Sequence, residues 1–478
     1  MQRRSPAFMI LNILFLSWLS CPVWAQNYEI LEQHLDQDRH GYTVIRVWGS
    51  HYEMGHALGV AFAEDIISGY SEVKDDLGAV YNTVRSTISN TAWVPIGIED
   101  EIDGIVAGVS SVLPESDMDA LDVKVLNTFG DWGYYGGCRS HSCWGDFVSG
   151  QTKTLSTRRL DFGTPFDMAL HHVLCAWDPD DGSIRWVNMA WPGYVAVVTG
   201  INAKGTLVSL HDYGSDFVPS NGAVARCVAT RYVLTGMNDQ PLEDDLSWAE
   251  GELSNMTVAT GTFINYYAPE GYGGVFTCSS GGSCGSARIP QSEYMGAEVL
   301  ITTNNQTDGT DVPGGGGFMD DYYQAGAPKD LAGHFDLMGT SGLHLMSVEY
   351  RGEENMTIWA HGRGRADRIE VEWSDLFSDV YPDGGPVDAG VDGGPADAGV
   401  DGGPADALVD GGPADSGVDG GLPDDGGSDS GTTGDSTGPA DEGTVENGSG
   451  CGCSSSGRPA AGLLGLLGVI LLSRRRLH

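Results

Sequence analysis

The chain has 478 residues, with 66 Asp and Glu against 25 Lys and Arg, and a formal net charge of −41. That acid excess excludes nucleic acid as a partner, because phosphate binding needs basic clusters that release counterions; it suits the solubility of an exported protein. The length allows one large domain or two ordinary ones, but roughly the last hundred residues, dominated by Gly, Asp and Pro, cannot add to a core.

The chain starts with Arg3 and Arg4, an apolar run from Ala7 to Leu19, and Val23-Trp24-Ala25 before Gln26. This is the pattern of a secretory signal peptide. A lipoprotein signal at Cys21 is the alternative, disfavoured by Trp18. The next stretch reads as helical. In HYEMGHALGVAFAEDIISGY the apolar residues recur at helical spacing, and Ser50-x-x-Glu53 is a capping box. Gly55-x-x-x-Gly59 fits close helix packing. In IEDEIDGIVAGVSSVL, Ile98, Ile102, Ile105, Val106, Val109 and Leu113 share one face, and Pro114 ends the helix.

After Gly137 the pattern turns to alternation. CRSHSCWGDF and TLSTRRLDF flank Ser149-Gly150, VAVVTGI and TLVSLHD flank NAKG, EVLITT follows, and HLMSVEY and MTIWAHG flank RGEEN. These are hairpin signatures. Helical patterns return between them at AVARCVATRYVLTG and LSWAEGELSN. Strand pairs interrupted by helix pairs imply a layered α+β domain.

From Tyr381 a nonapeptide repeats as DGGPVDAGV, DGGPADAGV, DGGPADALV and DGGPADSGV, with no Lys or Arg between Tyr381 and Gly457. Calcium-binding β-roll repeats share the period, but here Asp397 stands three residues after Gly394 with Pro395 and Ala396 between, and Pro in every repeat removes a ladder donor. The expectation is a disordered spacer that reaches roughly 45 Å as a coil. Beyond it, Cys451 and Cys453 precede a short apolar run and Arg474, Arg475 and Arg476. The run is shorter than the ~20 residues of a stable membrane helix. The element resembles the MYXO-CTERM type of C-terminal sorting signal, which implies removal by a sorting protease and attachment of the protein to the cell envelope. A plain C-terminal membrane tail is the alternative.

Six of the nine cysteines lie in the body. Cys278 and Cys284 flank SSGGS and can close a small disulfide ring; Cys175 and Cys227 either pair or are simply buried; Cys143 has no evident partner. Cys138 stands apart because Gly137 precedes it at the head of a strand. A thiol is mostly protonated at neutral pH and needs a base close by and oxyanion donors facing the carbonyl. No serine-type triad is evident and no His falls in a catalytic frame. If the Gly137–Cys138 bond is broken, the new α-amino group is that base, with an unperturbed pKa of about 7.7 to 8. Gly137 tolerates the distorted backbone from which an N-to-S acyl shift starts. No metal or organic cofactor is called for.

At these residues the chain resembles the isopenicillin N acyltransferase-like family of cysteine N-terminal nucleophile (Ntn) hydrolases, related to bile salt and penicillin V hydrolases. In that family a Cys-x-Ser segment leading to Trp-Gly is followed by Gly-Arg-Asn-x-Asp; here stand Cys138, Ser140, Trp144-Gly145 and Arg158-Arg159-Leu160-Asp161. WPGYVAVVTGINAKG matches the Trp-Pro-Gly and Gly-x-Asn-x-x-Gly elements and includes Asn202, TTNNQ resembles the Thr-Asn-His element and includes Asn304, and GSHYEMGHALG resembles the leading chain. The resemblance spans Val44 to Gly362. It implies a four-layer αββα sandwich with a helical N-terminal segment. It implies that Cys138 is nucleophile and base, that Arg158 and Asp161 hold and tune its thiol and amine, and that Asn304 and Asn202 supply oxyanion donors. Three residues depart from the family pattern: Arg159 for Asn, Asn305 for His, and Arg139 beside the nucleophile.

Other readings remain for the same residues. Cys138 could pair with Cys143; Cys138, His141 and Cys143, with His171, could hold zinc; Asp161 could be an ordinary turn carboxylate, and Asn202 and Asn304 could serve only as turn formers. The division expected is a signal peptide at 1–25, a helical leading segment at 26–137, a catalytic region at 138–378, an acidic spacer at 379–450 and a sorting or anchor segment at 451–478. The function expected is an exported, self-cleaving amidohydrolase of a linear C–N bond in a small-molecule amide (an N-acyl amide, an acyl amino acid or a β-lactam side chain), with acyl transfer as a variant. The alternative is a catalytically inactive, surface-anchored binding module of the same fold.

Overall fold

The computed structural model describes residues 26–378, apart from 96, 132–135, 163–166, 214–219, 237–240, 288–297, 305–325, 327 and 364–366. The signal peptide, the spacer beyond 378, the C-terminal segment and Asn305 lie outside the described residues. Among the described residues no helix is long and apolar enough to cross a membrane.

Two strands open the described chain, β1 (Tyr28–Leu35) and β2 (Gly41–Gly49), where the sequence pattern suggested only helix. The helices follow: α1 (His51–Ala61), α2 (Ala63–Leu77), α3 (Tyr81–Ile88), α4 (Ile98–Val112) and α5 (Ala120–Asn127). Next come β3 (Gly136–Trp144), β4 (Thr154–Phe162), β5 (His171–Pro179), β6 (Trp186–Ala190), β7 (Thr199–Asn202) and β8 (Leu207–Asp212). After them stand α6 (Arg226–Thr235), α7 (Leu242–Asn255), β9 (Thr262–Tyr267), β10 (Gly274–Cys278), β11 (Val299–Thr303) and α8 (Leu331–Met338). The described chain closes with β12 (His344–Gly352), β13 (Asn355–Gly362), β14 (Ile369–Glu372) and α9 (Trp373–Leu376).

The strands form two sheets, ordered β1-β2-β5-β6-β7-β8-β9-β10 and β11-β3-β4-β12-β13-β14. Within the first, β2 pairs with β5 in parallel, which adds the leading segment's two strands to one edge of the catalytic region's sheet. The period-two alternation of each strand then decides the layers. Val44, Leu174, Val187 and Ile201 of the first sheet meet Met346, Val348, Ile358 and Ala360 of the second in one core. Ile45, Val47, Trp177 and Val208 turn the other way, onto Leu58, Ile102, Ile105 and Val228 of the helices. On the far side of the second sheet Leu155, Val299 and Ile301 pack on Leu331, Phe335 and Met338 of α8. The result is the expected αββα sandwich, each fully buried aliphatic side chain contributing ~1.5–3 kcal/mol.

Ser50 caps α1 with Glu53 closing the box. The glycines of α1 serve packing: a Cβ on Gly55 would stand 2.0 Å from the Glu101 carbonyl oxygen, so α1 and α4 touch backbone to backbone. Cys278 and Cys284 form the small disulfide ring read from the sequence. Cys175 and Cys227 are both free and buried.

Candidate active site

β3 presents two different faces. Cys138, Ser140 and Ser142 alternate with Arg139, His141 and Cys143. Ser140 Oγ lies 3.0 Å from His211 Nε2 and 2.8 Å from the Tyr267 hydroxyl, both on the first sheet. His141 Nε2 lies 2.6 Å from His334 Nδ1 of α8 on the opposite side. The zinc set therefore is not assembled, because Cys138 faces away from His141 and Cys143. Cys138 and Cys143, five residues apart on one strand, are ~16 Å apart, far beyond disulfide reach, and neither forms a disulfide. His171 sits on β5 beside Thr43 and Asp65 instead.

The thiol of Cys138 is 3% exposed and stands where β3 begins and β4 and β8 end. Arg158, fully buried on β4, donates from Nη2 to Cys138 Sγ at 3.4 Å and to the Leu210 carbonyl at 2.8 Å. Register explains the meeting: Ser140 pairs with Arg158 and Cys138 with Leu160 across the hairpin, so Arg158 reaches back along the face that carries the sulfur. The thiol lines a cavity of about 30 Å³ with Phe129, Trp191, Tyr194, Leu160, Asp131, Asp212 and Arg226. That is room for one or two waters.

Two buried carboxylates share one guanidinium at the cavity wall. Arg226 Nε lies 2.8 Å from Asp131 Oδ1, and Arg226 also pairs with Asp212 and donates to the Gly130 carbonyl. Burial pushes the Asp131 carboxyl up to about 6, Arg226 opposing and Asp212 reinforcing the rise. Burial likewise pushes the Cys138 thiol up to about 11; Arg158 pulls it down, Asp212's carboxylate pushes it up, and Asp212's backbone N–H and Arg226 pull it down. In the intact chain the sulfur is thus a protonated thiol beside a fixed cation.

The other residues named from sequence fall in different places. Asp161 pairs with Gly137 across the hairpin, and a Cβ on Gly137 would touch the Asp161 Cβ at 3.2 Å, so this carboxylate flanks the Gly137–Cys138 bond and not the sulfur. Arg159 Nε holds Asp161 Oδ1 at 2.6 Å, which makes the departure from the family's Asn an ion-pair partner of that carboxylate. On β11, Thr302 pairs with Ser140 and Thr303, its last residue, with Arg139; Asn304 is the next residue after the strand, and continuing the register one step would bring it opposite Cys138. Asn202 is not brought to the thiol. Its Nδ2 donates to the Leu234 carbonyl at 3.0 Å and its Oδ1 accepts from Thr206 N at 3.1 Å, closing the β7–β8 turn. Sequence reasoning missed Asp131, Asp212 and Arg226. The signal available was Arg226, with Arg231, among the mostly apolar residues of AVARCVATRYV, since a charge on a buried helix face requires a partner.

No family model matches the chain, and no curated protein matches its sequence. Solved structures similar to it include an N-acylethanolamine-hydrolyzing acid amidase ortholog from Caenorhabditis elegans, at 13% identity and TM-score 0.35 over 44% of this chain and 92% of that one. A mutant conjugated bile acid hydrolase from Clostridium perfringens aligns at 11% identity and TM-score 0.32, covering 49% of this chain and 92% of that one. A penicillin V acylase from Agrobacterium tumefaciens aligns at 12% identity and TM-score 0.31, covering 51% and 89%. At these scores the likenesses assign no activity; the residues of the site must carry it.

Proposed function

We propose that the chain is a self-processing cysteine Ntn hydrolase that cleaves a linear amide bond of a small molecule. One observation carries this: a thiol at the third residue of β3, preceded by Gly137, with a buried Arg158 donating to the sulfur and Asp161 flanking the bond before it. In processing, the sulfur adds to the Gly137 carbonyl carbon, the bond to the Cys138 nitrogen breaks as that nitrogen takes the thiol proton, and water hydrolyses the thioester to leave a Gly137 carboxylate. The freed α-amine, with an ordinary pKa of about 7.7 to 8, then serves as base for the thiol. Asp161 stands where the α-ammonium forms, and Arg158 supplies the thiolate with a counter-charge. Asn304, the residue after β11, is the donor to the tetrahedral oxyanion in this reading, supported by the pairing of Thr303 with Arg139. The amine leaves with the proton and water releases the acyl group; outside the cell, water outcompetes acyl acceptors, which favours hydrolysis over transfer.

The two fragments would stay together. Strand β2 lies between β1 and β5, and Glu101 of α4 accepts from Arg231 Nη2 of α6 at 2.6 Å, fully buried. The test is the mass and N-terminal sequence of the purified protein. Two associated fragments divided at 137, with Cys138 as a new N-terminus, are expected; an active, uncut chain overturns the proposal.

We place the enzyme outside the cell, held by the 451–478 segment after export through residues 1–25. The basis is the Cys451/Cys453 element with its apolar run and arginines. Replacing both cysteines with Ser is expected to leave turnover unchanged and release protein from the envelope. Full retention of the double variant on the envelope would point to a plain membrane tail.

A further inference from the structure

Arg158 is a buried cation whose acceptors are all uncharged. Its Nη2 serves the Leu210 carbonyl and the Cys138 sulfur, and its Nη1 lies 3.0 Å from His344 Nε2. Among the described residues it makes no ion pair. A buried guanidinium ordinarily takes a carboxylate partner, because an uncompensated buried charge costs several kcal/mol. Arg226, in the wall of the cavity that the Cys138 thiol lines, has two. The contrast indicates that the charge of Arg158 is kept for something else.

His344 opens β12 and pairs with Leu160 of β4, which places it on the face of Arg158. Arginine only donates, so His344 Nε2 must present its lone pair and the ring proton sits on Nδ1. Thr199 Oγ1 lies 3.0 Å from the same nitrogen. A proton on Nε2 would break the bond to Arg158 and set two cations side by side; burial, Arg158 and His172 all hold this imidazole well below its ordinary pKa.

We propose that His344 is a positioning residue: its neutral Nε2 fixes the Arg158 guanidinium against Cys138 Sγ without consuming its charge, so that the cysteine thiolate is the anion Arg158 is held to meet. This rests on Cys138 being the nucleophile. A carboxylate at 344 would hold the guanidinium equally well but neutralise it; an apolar residue would leave Nη1 to seek another carbonyl and swing Nη2 off the sulfur. The other ionisable groups facing this pair are Asp212 and His211 on β8, Arg226 on α6, Asp161 on β4, Asp131 on the Phe129–Asp131 turn and His172 on β5.

The test titrates the sulfur by the ultraviolet absorbance of its thiolate, as the difference between each purified full-length variant and the same variant carrying Cys138→Ala. His344→Gln keeps an acceptor, and its midpoint should agree with wild type within about 0.3 of a pH unit, whereas His344→Phe should raise it by about one unit, a tenfold loss of thiolate at a given pH. Should His344→Phe fail to fold, His344→Asn, whose amide falls short of Arg158, takes its place with the same expectation. A Phe or Asn profile superimposed on wild type overturns the proposal, as does a Gln profile displaced as far as the Phe one. Because the titration reads the sulfur itself, it stands apart from the hydrolase reading, whose failure would show as wild-type protein that neither cuts itself nor turns over amides.

Discussion

Cys138 and Cys143 share one strand, one degree of burial and a basic neighbour, yet their surroundings point to opposite fates. Cys138 meets the guanidinium of Arg158, a group charged at every physiological pH. Cys143 Sγ lies 3.6 Å from His334 Nε2 and donates to the Phe147 carbonyl at 3.4 Å. His334 also reaches the Pro328 carbonyl at 2.8 Å, and burial holds its pKa down to about 4. An imidazole that is neutral at pH 7 offers a thiolate no counter-charge, and the sulfur is capped by a carbonyl, which repels an anion. Cys143 is also packed on α8 with Leu155 and Phe335, away from the cavity. Chemistry at one face of β3 and packing at the other follow from a one-residue alternation.

The largest expected effect breaks this comparison outright. Cys138→Ala should abolish both self-cleavage and hydrolysis. Cys143→Ala should leave the cleavage pattern and kcat intact and cost only the packing of a small buried side chain, about 1 kcal/mol. Gel analysis and thermal melts of the two variants side by side decide it. If Cys143→Ala blocks processing, the assignment of the faces is wrong.

Next in size is the proposed oxyanion donor. Asn304→Ala should slow turnover by roughly 10² to 10³ with KM little changed, because the donor acts mainly in the transition state. Asn202→Ala, by contrast, should lower the melting temperature through its lost bonds to Leu234 and Thr206 and leave kcat per folded molecule near wild type. A kinetic effect for Asn202→Ala equal to that of Asn304→Ala would restore Asn202 to the site.

These contrasts also show what was legible in the sequence. The hairpins around Ser149-Gly150, NAKG and RGEEN, the capping box at Ser50 and the close-packed glycines of α1 are local signals, carried by residues near in sequence, and each has its counterpart in the fold. So are Cys138 and Arg158, which sit on adjacent strands of one hairpin. β1 and β2 were not legible because β2 is buried on both faces and β1 lies at a sheet edge, so neither shows clean alternation over enough residues. Asn202 was misplaced because an Asn in a turn and an Asn at an oxyanion hole carry the same letter. Asp131, Asp212 and Arg226 come from three elements joined only by the tertiary fold, and no spacing rule links them.

The smallest effect concerns that last cluster, and it sharpens the difference between the two buried arginines, Arg158 beside the thiol and Arg226 in the cavity wall. Asp131 binds its proton more tightly in the folded chain, with a pKa of about 6 against an ordinary 3.8. A raised folded pKa contributes stability that is complete below about 3.8 and is lost as pH rises through about 6. Asp131→Asn removes that dependence while keeping the shape beside Arg226. The carboxylates held below their ordinary range, such as Asp65 and Glu101, act in the opposite sense but are common to both proteins and cancel in the difference. The melting temperature of wild type minus that of Asp131→Asn should therefore fall by a few degrees between pH 4 and pH 7, on the order of 3 kcal/mol or less. A difference that rises over this range would mean that Arg226 holds Asp131 ionised, as it does when attraction outweighs burial.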